Sequence, residues 1–180
     1  MMPTGTYTYA PSGETPEVRA SADRDHLSAI SAITPAGKLY TSVQEEAFNG
    51  EDIVAFLRHL LREVEGKLLV VWDGLPAHRS KKVKAFLAET DERSETGERS
   101  ETGERSETGE RRVHLEQLPG YAPDLNPDEG VWQHLKNVEL ANVCCERLDE
   151  LRAKLRLAIE RLRHKTKVIL GCFGLAGLKL

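Results

Sequence analysis

The alternation of apolar and polar positions divides the chain into short elements. Residues 26–34, HLSAISAIT, form a brief apolar run, Pro35, Ala36 and Gly37 supply a turn, and residues 38–44, KLYTSVQ, alternate. That pattern predicts a β-hairpin. Residues 50–64 place Ile53, Val54, Phe56, Leu57, Leu60, Leu61 and Val64 on one helical face, with acids in the first turn and Gly66 just past the end, the signature of an amphipathic helix. Residues 67–73, KLLVVWD, are apolar without alternation up to Asp73, which predicts a strand buried on both faces, as parallel strands of α/β domains are. Ser80 can cap a second helix over residues 80–90, and residues 113–118, VHLEQL, read as a further strand. The resulting order is strand, helix, strand, helix, strand.

Downstream, the proline-rich stretch PGYAPDLNPDEGVWQHLKNV turns into a helix at Asn126. Residues 145–165 then carry Leu148, Leu151, Leu155, Ile159 and Leu162 at spacings of three and four, which predicts a long helix. The glycine-broken apolar tail, residues 166–178, is expected to form a short helix that closes the core. Between the second helix and the strand at Val113, Ser-Glu-Thr-Gly-Glu-Arg occurs three times in tandem, over residues 94–111. Without an apolar residue it cannot contribute to a shared core as a solenoid repeat must. The expectation is a solvated low-complexity insertion, bounded at 91–111, within a single domain over residues 1–180.

The repeat alters the reading of charge. The net charge of −4 argues against a polyanionic partner, yet the three copies contribute −3 of it. Basic residues cluster elsewhere, in Arg79, Lys81, Lys82 and Lys84 and again over residues 147–167, where a polyanion can be met. No apolar stretch of membrane-spanning length and no signal-peptide pattern occurs in the sequence, so a cytoplasmic protein with no membrane partner is expected. Cys144, Cys145 and Cys172 fit neither a disulfide framework nor paired zinc-ligand spacing and read as reduced, mostly buried thiols.

Two acids stand where α/β sheets present their ligand-binding strand ends, Asp73 and Glu129. A carboxylate after a rigid strand can reach a divalent metal, but Asp73 in Asp-Gly also reads as a turn acid bonding its own following backbone. For Glu129 the local pattern favours the cap, since it reads as the closing member of a capping box with Asn126 as N-cap and Pro127 at the first helical position. Local sequence does not separate cap from ligand. His78, in the loop after Asp73, is placed to position a phosphate, a water or the neighbouring carboxylate, and reads as readily as a structural histidine. Trp132, Leu135 and Val131 are assigned to the core and His134 to the surface. No Gly-rich phosphate loop and no nucleophile elbow is present.

Residues 70–80, VVWDGLPAHRS, and 118–136, LPGYAPDLNPDEGVWQHLK, together resemble the catalytic domain of mariner-superfamily DDE transposases, in the branch found in bacterial insertion sequences. Residues 8–18, TYAPSGETPEV, are similar to that family's Trp-Ala-Pro-x-Gly segment, with Tyr9 in the tryptophan position. Fifty-five residues separate Asp73 from Glu129, and 37 remain when the three hexapeptides are set aside, close to the family's thirty-odd spacing. The resemblance implies an α/β, ribonuclease-H-like mixed sheet of strand order 3-2-1-4-5 flanked by helices, with Asp73 as the second catalytic acid and Glu129 as the third. It implies Mg²⁺ or Mn²⁺ as cofactor, two ions in the complete enzyme, and DNA, as transposon ends and target, as partner. Asp73, Glu129 and His78 are the expected catalytic residues, Asp73 and Glu129 the metal ligands. Arg79, Lys81, Lys82, Lys84 and Lys136 are the expected phosphate contacts.

The family's first aspartate ends a strand that should precede Tyr9, where no acid stands, and Asp23 and Asp25 fall after the landmark loop. The expectation is therefore a truncated catalytic domain whose first, central strand is missing or incomplete. It also lacks the upstream helix-turn-helix region. Such a product is expected to be marginal or aggregation-prone unless residues 6–10, TYTYA, another transposase chain or an upstream-frame product fills the gap. A second reading, of a different class, is a non-catalytic remnant that binds DNA or interferes with a full-length transposase.

Overall fold

The computed structural model describes residues 10–14, 26–95, 113–120 and 122–179. Residues 1–9, the stretch 15–25 with Asp23 and Asp25, and residues 96–112, which hold most of the repeat, lie outside the described residues. In chain order the elements are β1 (Ser28–Ile33), β2 (Leu39–Gln44), α1 (Gly50–Glu63), β3 (Leu68–Trp72), α2 (Lys81–Glu95), β4 (Val113–Gln117), α3 (Pro127–His134), α4 (Leu148–Arg163) and α5 (Thr166–Leu175). They fall into two compact units, residues 1–47 with 123–180 and residues 48–122.

In the first unit β1 and β2 pair antiparallel, from Ser28 opposite Gln44 to Ile33 opposite Leu39. Their turn closes where the Gly37 amide donates to the Thr34 carbonyl at 2.8 Å. Gly37 has φ +74°, and a Cβ there would lie 2.4 Å from Thr166 Cγ2, so both conformation and space require glycine. The core gathers Leu39 with Val131 and Leu135, then Leu155, Ala158, Ile159 and Leu162 of α4 and Ile169 and Cys172 of α5. Each large apolar side chain buried there contributes roughly 1.5–3 kcal/mol. The tail is thus the short core-closing helix that its composition suggests. Cys172 is buried, but Cys144 and Cys145 are only half-buried, because they lie in the irregular stretch before α4 and not on an apolar face.

In the second unit α1 buries Ile53, Val54, Phe56, Leu57 and Leu60 on the face its periodicity marks. Asn49 caps it in a closed capping box, its Oδ1 accepting from Glu51 N–H and Asp52 N–H while Asp52 Oδ2 accepts from Asn49 N–H. Ser80 Oγ accepts from Val83 N–H at 3.4 Å at the start of α2. That helix runs on to Glu95, through the first residues assigned to the insertion. Residues 91–95 contain no helix breaker, and the repeat's first glycine is Gly97.

β3 and β4 pair in parallel, from Leu68 opposite Val113 to Trp72 opposite Gln117. The expectation that β3 is buried on both faces is not met: Leu69 is 61% and Val71 53% exposed. Among the described residues β3 hydrogen-bonds only β4, and cover reaches one face of the strand, so a run composed for two-sided burial shows its odd positions to solvent. No helix among the described residues is long and apolar enough to cross a membrane.

The exposed face of β3 makes a measurable statement. A double variant, Leu69→Thr with Val71→Thr, keeps β-compatible side chains and should unfold within about 1 kcal/mol of the parent. Light scattering should show less self-association, since an apolar face on an open strand is an aggregation site. A loss of core-substitution size would show that these positions are covered in solution.

Candidate active site

Asp73 follows the C-terminal end of β3, where the parallel pair opens into a short 3-10 turn, Pro76–Arg79. Its Oδ1 accepts from the Leu75 amide at 3.2 Å, so the turn-acid role is real. It occupies one oxygen only. His78 Nδ1 lies 3.0 Å from that Oδ1 and 3.0 Å from the Asp73 carbonyl oxygen. Both neighbours can only accept, which puts the ring proton on Nδ1. The His78 side chain is 10% exposed and stacks on Trp72, with ring centroids 4.4 Å apart and planes 3° from parallel. Asp73, whose side chain is half exposed, makes no hydrogen bond or ion pair through Oδ2 to another described residue. Gly74 leaves room for the end of Gln117, whose Nε2 would sit 2.6 Å from a Cβ at that position.

Glu129 occupies the third position of α3, but the capping box anticipated there is not formed. Asn126 Oδ1 accepts instead from the Asp128 amide at 3.1 Å. The Asn126 N–H that the box would use already donates to the Pro123 carbonyl at 2.9 Å. With that donor taken, the Glu129 carboxylate is exposed and has no side-chain partner among the described residues. Its neighbours are committed. Asp128 Oδ2 accepts from Ser31 Oγ at 2.6 Å and from Trp132 Nε1 at 3.1 Å, and Gly130 meets Cys172 so closely that a Cβ would lie 2.9 Å from Sγ. Burial first, and then the Asp128 charge, holds the Cys172 thiol above its usual range.

Val131 and Leu135 are fully buried, as expected, and Trp132 is half-buried against the same core. His134, expected on the surface, has a side chain only 19% exposed, 3.5 Å from Glu139 Oε1. The reason is a π-helical turn over Leu135–Glu139, in which Leu140 N–H bonds the Leu135 carbonyl. Five-residue spacing brings residues 134 and 139 together, where an α-helix would separate them.

Among the basic candidates, Arg79 Nη2 donates to the Gly74 carbonyl at 3.0 Å, fastening the loop beside Asp73. Lys82 pairs with Glu51 of α1, while Lys81 and Lys84 are exposed with no ion pair to a described residue. Lys136 is exposed at the rim of a cavity of about 160 Å³ lined by Leu27, Ala29, Trp132, Leu151 and Leu155. No cluster of three or more metal-ligating side chains occurs among the described residues. Periodicity did not single out Trp72, Asp128, Ser31 or Gln117, because their contacts join residues distant in sequence or sit in loops.

Residues 2–152 match the family model of the DDE superfamily endonuclease. Solved structures similar to the chain include the Mos1 strand transfer complex, with TM-score 0.52 and 16% identity over 99% of this chain and 51% of that one. The Mos1 mariner paired end complex with Mn is also similar, with TM-score 0.50 and 16% identity over 99% of this chain and 52% of that one. The chain therefore spans about half the length of the solved chains it matches. At such identity the likeness is one of fold, the mixed α/β, ribonuclease-H-like one. No curated protein matches the chain. The family match over most of the chain, with motifs that end β3 and open α3, identifies it: the chain belongs to the DDE superfamily endonuclease family.

Proposed function

We propose that the chain carries part of a transposase active site for metal-dependent phosphodiester cleavage and strand transfer on DNA, with Asp73 and Glu129 as metal ligands. The observation that carries this reading is the division of labour around Glu129: Asn126 caps the helix, Asp128 ties it down, and the Glu129 carboxylate is left exposed and uncommitted. The donor set suits a hard cation, since Mg²⁺ takes one or two carboxylates and completes its shell with water and phosphate oxygens. A bound Mg²⁺ or Mn²⁺ would supply Lewis acidity, favouring attack by water or a 3′-hydroxyl and easing departure of the leaving oxygen. Asp73 offers Oδ2 while its Oδ1 is held by Leu75 and His78. Arg79 closes the turn that follows that strand, Lys81, Lys82 and Lys84 stand at the start of α2, and Lys136 follows on from α3; these would hold phosphates without reading bases. The remaining carboxylate of the acidic trio is not assigned to a described residue.

The test is nicking of a supercoiled plasmid by the purified chain in Mg²⁺ or Mn²⁺, against the same reaction in EDTA. Asp73→Asn keeps an oxygen for the Leu75 amide while removing the charge, so it should nick at background level with its fold intact. Nicking by this variant equal to that of the parent would sink the assignment of Asp73. Absence of metal-dependent nicking, together with retained DNA binding, would favour the non-catalytic remnant.

A further inference from the structure

We infer that Asp128 is a positioning residue for Glu129, clamping the first turn of α3 to strand β1 through Ser31 so that the neighbouring carboxylate is held pointing outward. The inference rests on the reading of Glu129 as a metal ligand. Successive helical residues are about 100° apart around the axis, so residues 128 and 130 lie on nearly opposite sides of α3, with 129 between them. Both flanks are fixed. On one, Asp128 Oδ2 takes the Ser31 hydroxyl at 2.6 Å and the Trp132 indole N–H at 3.1 Å. The second bond spans one turn of α3, and the first joins residues 97 apart in sequence. On the other, Gly130 rests against Cys172 of α5 with no space for a side chain.

A first turn held only by its N-cap frays readily, because the first four amides of a helix have no partner within it. A carboxylate accepting two donors makes stronger bonds than a neutral group, and here they tie the turn to a strand and to the helix's own next turn. Asp128, with Oδ2 held by Ser31 and Trp132 and Oδ1 turned away from solvent, is not placed to serve as the exposed ligand itself. Its contribution is to limit the directions that Glu129 can take, and ligand groups supported in this way typically lose about 10–100-fold in metal affinity or activity when the support is removed.

The experiment compares the parent chain with Asp128→Ala, Ser31→Ala, Asp128→Asn and Leu162→Ala, the last a core control in the same unit, in Mn²⁺-dependent plasmid nicking and in amide hydrogen exchange. Asp128→Ala should lower kcat about 10–100-fold with KM for DNA within about twofold. Ser31→Ala should follow in the same direction, and Asp128→Asn, which keeps an acceptor of the same shape, should restore most of the rate. Amide protection at residues 129–131 should fall in Asp128→Ala and return in Asp128→Asn. Parental nicking by Asp128→Ala, while Asp73→Asn and Glu129→Ala are inactive, overturns the inference and leaves the functional reading standing. A Leu162→Ala variant of matched stability that loses kcat equally overturns it too, because the effect is then general loosening. If Asp73→Asn and Glu129→Ala nick like the parent, the functional reading is what fails, and exchange at residues 129–131 still reports whether the clamp exists.

Discussion

Glu129→Ala is expected to lower metal-dependent nicking by at least about a thousandfold, a loss near 4 kcal/mol of transition-state stabilisation, while leaving the unfolding free energy within about 0.5 kcal/mol of the parent. The two halves of this expectation come from different observations. Stability should hold because the exposed side chain has no partner among the described residues and helix capping falls to Asn126. Alanine also has the higher helix propensity. If Glu129 holds the metal as proposed, activity should fall because the ion it holds acts in the transition state, where its loss cannot be made good by binding elsewhere. Asn126→Ala should behave in the opposite manner, costing about 1 kcal/mol of stability with a smaller loss of rate. The measurements are denaturant unfolding and plasmid nicking on the same preparations. A Glu129→Ala variant that unfolds much more easily would return Glu129 to a structural role.

The parts of this chain legible in its sequence are those fixed by neighbours a few residues apart. The hairpin at residues 28–44 follows from one apolar run, Pro-Ala-Gly and an alternating partner; α1 follows from its seven apolar positions, with Asn49 and Asp52 closing its cap locally. The motif at Asp73 marks the end of a parallel strand, and β3 with β4 is such a pair. What local pattern missed depends on distant partners or on departures from ideal helical spacing. The capping box at Glu129 looks sound in sequence, yet it fails because Pro123, three residues before Asn126, takes the donor. Asp128 carries no visible signal, since Ser31 is 97 residues away. His134 lies away from the surface because the chain beyond it turns with five-residue bonds, which 100° helical spacing does not anticipate. The two-sided burial expected of β3 requires cover on both faces, and a run of apolar residues records the requirement without recording whether the cover is present.

That same π-helical turn sets up the second large effect. Glu139, with a side chain only 4% exposed, accepts from Lys165 Nζ at 2.5 Å and from Arg161 Nε at 2.8 Å, with His134 Nε2 at 3.5 Å. Burial opposes its ionisation, but the hydrogen bonds from Lys165 and Arg161, with their charges, outweigh that and lower its pKa from 4.5 to about 2. A carboxyl whose folded pKa is depressed contributes stability that is fully present above the unfolded value and lost as pH falls through the folded one. The window here runs from about 4.5 down to about 2, and the contribution is on the order of 3 kcal/mol. Glu139→Gln preserves shape and removes charge, so it should destabilise the chain by about 2–3 kcal/mol at pH 7. The cost stays below that of breaking a fully buried pair because Arg161 and Lys165 are about half exposed and can rehydrate. Denaturant unfolding of parent and variant at pH 7, 4 and 2.5 should show the gap narrowing as pH falls, since the parent loses its own charge there. Coincident transitions at pH 7, or a gap that persists undiminished at pH 2.5, would show that the Glu139 charge does not hold α4 to the turn that follows α3.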